Sequence, residues 1–109
     1  MKRLFHYFAG LLLVTAASSA YAVDSIEVTI KDHKFVPAEI TIPADTKVKL
    51  VVKNQDPTPE EFESHSMHRE KVIPGGRQAI IFIGPLKPGT YEFFGEFNPK
   101  TAKGRVIVK

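Results

Sequence analysis

The run Ser25-Ile26-Glu27-Val28-Thr29-Ile30-Lys31 decides how the rest of the chain is read. Ile26, Val28 and Ile30 alternate with Glu27, Thr29 and Lys31, the two-residue period of a strand with one buried face. The same alternation returns at Ile40 and Ile42, closed by the turn-favouring Pro43-Ala44-Asp45, and at Val48, Leu50 and Val52, which Asn54 ends. Two prolines in Gln55 to Pro59 deny ladder hydrogen bonds, so pairing is expected to resume at Glu60 and run to about Met67. The segment His68 to Gly76, with Pro74-Gly75-Gly76, reads as a connection. Ala79 to Ile83 is almost wholly apolar and predicts a central strand buried on both faces. Thr90 to Phe94 and Val106 to Val108 follow, separated by turn residues. Phe35, Phe82, Phe93 and Tyr91 are expected to fill or border the core. No stretch sustains helical periodicity, and eight prolines are spread through the chain. About seven short strands with turn signals between them predict an all-β, Greek-key β-sandwich.

Upstream of that run, Lys2 and Arg3 precede an apolar core at Ala9 to Val14, and small residues lead to Ala20-Tyr21-Ala22. This is the pattern of a secretory signal peptide, residues 1–22, cleaved after Ala22. A membrane-spanning helix would need about 20 apolar residues, and Thr15 to Ser19 is already semi-polar, so the mature form is expected not to be embedded in the membrane. Removing 22 of 109 residues leaves 87, one domain over 23–109. Two of the 15 basic residues leave with the leader while all 12 acidic ones stay, a formal charge of +1. That balance gives no argument for nucleic acid or for an anionic membrane surface. With no cysteine in the chain, disulfides and thiolate ligands are excluded.

The chemistry concentrates in Asn54 to Lys71. Four carboxylates (Glu60, Glu61, Glu63, Glu70), two imidazoles (His65, His68) and the Met67 thioether fall within twelve residues. Such oxygen, nitrogen and soft sulfur donors suit a transition-metal ion better than Mg²⁺ or Ca²⁺. The bland alternative is a solvated strand edge whose carboxylates are balanced by Arg69, Lys71 and Arg77. Alternation would place Glu60, Phe62 and Ser64 on one face and Glu61, Glu63, His65 and Met67 on the other. Glu60 is expected at the open end of the sandwich, where Glu70 and Glu96 could approach it. A carboxylate cage would favour iron or manganese; His65, Met67 and His68 would favour copper and could form a separate site. His33 reads as a loop residue. No nucleophile is paired with a base and no phosphate loop is present, which sets aside hydrolase and transferase chemistry.

Pro88-Gly89-Thr90-Tyr91-Glu92-Phe93, then a ligand-type loop, then a Gly-x-x-x-Val strand, resembles the cupredoxins, the small copper-binding β-sandwiches; Asn54-Gln55-Asp56-Pro57-Thr58-Pro59-Glu60 resembles the segment that delivers their first copper-binding histidine. The resemblance implies that the four ligand positions fall on Glu60 (histidine), Gly95 (cysteine), Asn98 (histidine) and near Ala102 (methionine). All four are replaced, so no blue copper centre is expected. Glu60-Glu61-Phe62-Glu63-Ser64, Arg69-Glu70-Lys71-Val72 and Phe82 to Phe97 are similar to a cysteine-free, periplasmic branch associated with bacterial high-affinity iron uptake. Relatives of that type would carry a histidine where this chain has Asn98.

What the resemblance implies is a periplasmic metal-binding protein that handles iron and/or copper for an inner-membrane iron permease and other periplasmic iron-uptake components. Its role would be binding and handoff, at most an accessory to Fe²⁺ oxidation rather than an enzyme. The alternatives are a copper-binding or copper-chaperone protein using His65, Met67 and His68, and a metal-free interaction module. Phe94 and Phe97, flanking the loop, are candidates for a rim where a partner protein docks.

Overall fold

The computed structural model describes residues 25–109; the expected leader and its cleavage point lie outside the described residues. Nine strands form: β1 (Ser25–Lys31), β2 (Lys34–Val36), β3 (Glu39–Ile42), β4 (Val48–Asn54), β5 (Glu60–Ser64), β6 (Arg69–Ile73), β7 (Gln78–Ile83), β8 (Gly89–Gly95) and β9 (Lys103–Val108). They make a four-stranded sheet, β2-β1-β4-β7, and a five-stranded sheet, β3-β9-β8-β5-β6, each mixing parallel and antiparallel pairs. Among the described residues there is no helix. The all-β sandwich expected from the alternation is what folds.

The inward sets are those the period of two selects. Val28, Ile30, Leu50, Val52, Ile81 and Ile83 of one sheet meet Ile40, Ile42, Phe62, Phe93, Val106 and Val108 of the other. At one end Phe62 stacks on Phe93 with ring centroids 4.9 Å apart, and Phe35 meets both edge-on at 6.1 and 4.9 Å. Edge-to-face and offset contacts of this kind suit the ring quadrupoles. This aromatic floor lies beneath the loops that carry the candidate site.

Four expectations are corrected. There are nine strands rather than about seven, because β2 is only three residues long and β6 lacks an alternating apolar face. In β6 only Ile73 is buried, so a single apolar side chain suffices at a sheet edge. The strand beginning at Glu60 stops at Ser64, because the Ser64 hydroxyl donates to the Glu92 carbonyl (2.7 Å) and accepts from the Met67 N–H (3.2 Å), which pulls the chain into a turn. β7 is an edge strand rather than a central one, and its outward Ile80 and Phe82 are 49% and 46% exposed. Phe82 is therefore a surface residue, whereas Phe35 and Phe93 are core.

The edge strands β6 and β7 come together where Arg69 reaches across. Its Nε donates to the Phe82 carbonyl at 2.7 Å, and one terminal nitrogen donates to the His68 and Met67 carbonyls at 2.9 and 3.4 Å. A planar guanidinium with five donors can serve three carbonyls in this way; a lysine ammonium matches that spread poorly.

Candidate metal centre

The sequence places a carboxylate on the inward face of β5, between a proline-rich loop and Phe62. Glu60 is 1% exposed. A buried carboxyl needs hydrogen-bond donors, and it has three. Oε1 accepts from the backbone N–H groups of Glu61 (3.0 Å) and Phe97 (2.8 Å), and Oε2 accepts from the Asn98 side-chain amide (2.8 Å). Asn98 in turn organises the β8–β9 loop, its carbonyl accepting from the N–H of Ala102 at 2.9 Å. A Cβ added to Gly95 would sit 2.6 Å from Glu60 Cδ, 2.7 Å from Glu60 Oε2 and 2.6 Å from Ala102 Cβ. Glu60, Gly95, Asn98 and Ala102 thus converge on one small volume, and the Glu60 carboxyl fills the part of it that a side chain at Gly95 would need.

These four residues do not fit a type 1 copper ion. Such a centre takes two imidazoles and a thiolate with a weak axial ligand. Here Gly95 and Ala102 offer no donor, Asn98 spends its amide on Glu60, and the single carboxyl is already bonded on both oxygens.

The loop that delivers Glu60 is held by two further buried polar groups. The Asn54 amide donates to the carbonyls of Thr58 (2.9 Å) and Ile73 (3.0 Å), and its Oδ1 accepts from the Asp56 N–H (3.0 Å). The Asp56 carboxylate accepts from the N–H groups of Asp32 (2.8 Å) and His33 (2.9 Å). Those two residues form the two-residue turn between β1 and β2 with φ of 53° and 60°, a geometry usually given to Asn or Gly. Burial raises the Asp56 carboxyl, but the two backbone donors with the nearby His33 and Lys31 outweigh it and hold the group below the usual carboxylate value. His33 is a turn residue, as expected, with its ring 3.6 Å from Asp56.

The other carboxylates point the opposite way. Alternation turns Glu61 and Glu63 to the outer face of the five-stranded sheet, and the β5–β6 register sets Glu63 directly across from Glu70. One oxygen each of Glu61, Glu63 and Glu70 lie within 4.8 Å of one another. Glu96, whose N–H donates to the Glu61 carbonyl at 2.9 Å, is close enough to act on the same cluster. Partial burial, then the hydrogen bond and charge of Glu70, then the charges of Glu63 and Glu96, push the Glu61 carboxyl above its ordinary value of 4.5. The expected gathering of Glu60, Glu70 and Glu96 is corrected here: Glu60 faces inward, and Glu61 and Glu63 are the residues that join Glu70 and Glu96.

A raised native pKa means that the folded form holds the proton better than the unfolded chain does. The stabilisation is full below the ordinary value and is lost as pH rises through the raised one. Glu61→Gln should therefore raise the melting temperature of the metal-free protein at pH 7, and the gain should shrink as the pH is lowered from above the raised value toward 4.5 and be gone below it, readable in thermal melts across that range.

The histidine and methionine positions separate. The turn after Ser64 carries His68 at φ 56° and buries Met67 (5% exposed) in the core, so Met67 and His65 do not share a face. His65 is exposed, with Nδ1 3.8 Å from Glu63 Oε2 and its ring 5.5 Å from that of Phe94. His65, His68, Glu63 and Glu70 line one shallow hollow beside the acidic cluster. Phe97, at 49% exposed, stands on the loop above.

A cupredoxin-type sandwich without a cysteine thiolate is the class that this fold and this mouth define. The sequence matches the cupredoxin-like domain over residues 4–108, and the chain belongs to that family. It is 51% identical over 83 residues to an uncharacterized protein, RP394, of Rickettsia prowazekii (strain Madrid E), a match covering 76% of this chain and 66% of the relative. The fold is similar to the metal-binding domain of the Cu(I)-exporting P-type ATPase CopA of Streptococcus pneumoniae D39 with Cu(I) (TM-score 0.70, 18% identity, 78% of this chain and 84% of that one). It is also similar to auracyanin A, a blue copper protein of Chloroflexus aurantiacus (0.68, 14%, 78% and 98%). A third likeness is to amicyanin of Paracoccus versutus (0.62, 20%, 84% and 88%). Lacking cysteine, this chain cannot form a blue copper site.

What sequence reading missed is the work done by Glu60. The signal was available: a glutamate in phase with Phe62 and Ser64 on a buried face must find donors, and the next loop offers backbone N–H groups and an amide.

Proposed function

We propose that this protein is an exported, periplasmic metal carrier that takes an iron ion as cargo on the outer acidic surface and passes it toward an inner-membrane iron permease. The observation that carries the reading is the approach of Glu61, Glu63 and Glu70 oxygens to within 4.8 Å of one another. Three carboxylates so placed repel one another, and a cation relieves that repulsion. Hard oxygen donors with one imidazole at the margin favour Fe²⁺, Fe³⁺ or Mn²⁺. The role is binding and release, without bond-making chemistry. Copper is the second reading, supported by the hollow that His65 and His68 share with Glu63 and Glu70 and by the copper proteins that have this fold.

Isothermal titration of the exported protein with Fe²⁺ under anaerobic conditions, Fe³⁺, Mn²⁺ and Cu²⁺ tests this. The triple variant Glu61→Gln, Glu63→Gln, Glu70→Gln is expected to lose at least about tenfold in iron affinity, since each carboxylate removed takes away a charge and a donor. Unchanged iron affinity in that variant eliminates the iron reading. Loss of copper binding alone in His65→Ala with His68→Ala favours the copper reading, and no affinity for any ion leaves an interaction module.

A further inference from the structure

The four-stranded sheet turns a different chemistry outward. In β1, β4 and β7 the inward residues are apolar, and the register places Ser25, Lys49 and Phe82 in one outward row and Glu27, Val51 and Ile80 in the next. Ile80 and Phe82 are about half exposed, as is Val36 on β2 at the far edge. Around this apolar strip stand Lys47, whose ammonium lies 4.7 Å from the Phe82 ring centroid, Lys49 and Lys53, with Lys31 and Lys34 paired at the β1–β2 end. One carboxylate, Glu27, shares the face and is bonded to Lys53 at 2.8 Å. Five lysines against one glutamate contrast with the other sheet, where Glu39, Glu61, Glu63, Glu70 and Glu92 outnumber Lys103 and Arg105 on the outer face. The net charge of +1 expected for the mature chain conceals two oppositely charged sides.

We propose that this lysine-ringed apolar face is a peripheral docking surface for an anionic phospholipid membrane. Apolar side chains at the centre match the headgroup and acyl boundary, and the ring matches the negative surface. A second copy packed face to face would set lysines against lysines. The five cations on the face are lysines, which keep their charge in water while their stems lie along an apolar surface, whereas protein interfaces favour arginine and deplete lysine. An anionic surface also repels the acidic side, so both faces favour one orientation, with Glu61, Glu63 and Glu70 directed away from the lipid. The inference stands independently of any bound metal.

The test is co-sedimentation of protein expressed from the full-length gene with phosphatidylcholine vesicles, with and without phosphatidylglycerol, at low and high salt. Binding is expected only with phosphatidylglycerol and is expected to weaken with salt. Lys47→Glu with Lys49→Glu should weaken it more than about tenfold, and Ile80→Ser with Phe82→Ser by about tenfold, each checked for folding by circular dichroism. Glu61→Gln, Glu63→Gln, Glu70→Gln should bind at least as well as the parent. Equal binding to neutral vesicles, unchanged binding in both face variants, or weaker binding in the acidic-side variant overturns the proposal. Tighter binding to poly-glutamate than to the vesicles also overturns it, in favour of an acidic protein surface.

Discussion

Glu60→Ala is expected to be the most damaging single truncation outside the apolar core, lowering the unfolding free energy by about 4 kcal/mol, measurable by urea titration. The carboxyl is 1% exposed and receives three hydrogen bonds. Orphaning a buried donor costs about 1–3 kcal/mol, and two of these three donors belong to the loop that closes the mouth. A void left beside Gly95 and Ala102 adds a cavity penalty. Glu60→Gln should cost far less, because its oxygen can keep both backbone N–H groups while the Asn98 amide turns its own oxygen toward the new NH₂. The stability of the parent should not depend on a chelator if this interior carboxyl, rather than a metal, holds the mouth together. An alanine variant as stable as the parent would remove that account.

Gly95→Ala should come second, at about 3 kcal/mol by the same measurement. Its new methyl would stand 2.6 Å from both Glu60 Cδ and Ala102 Cβ, well inside van der Waals contact, so the Glu60 carboxyl has to leave its donors. Overpacking of this kind costs about 1–3 kcal/mol before broken hydrogen bonds are counted. Because both changes act on one volume, they should not add: Gly95→Ala in the Glu60→Ala background should cost less than it does alone, the methyl occupying space the carboxyl has vacated. Additive effects would mean that the two positions do not share the volume described.

The sandwich was legible because strands with one wet face announce themselves. Ser25 to Lys31 and Val48 to Asn54 declare their inward residues by alternation alone, and so does Glu60-Phe62-Ser64. β6 was not legible: Arg69 to Lys71 is charged, Val72 and Ile73 are adjacent rather than alternating, and an edge strand needs no buried apolar residue beyond Ile73. Ala79 to Ile83 misled in the opposite sense. Five apolar residues in a row read as burial on both sides, and only the pairing partner of β7 shows that Ile80 and Phe82 face outward. At the site, alternation already set Glu61 and Glu63 opposite Glu60, but the sides taken by His65, Met67 and Glu70 depended on where β5 ended. The Ser64 hydroxyl, accepting from the Met67 N–H three residues on, set that end, and no hydrophobic pattern records it.

Arg69 has a consequence beyond local geometry. The outer rims of β6 and β7 are where a foreign strand could add to either sheet and begin fibrous self-association. By occupying the Phe82 carbonyl on β7 while also holding the Met67 and His68 carbonyls of the turn before β6, one side chain takes an acceptor from that template and closes a seam in the sandwich that chain topology alone leaves ajar.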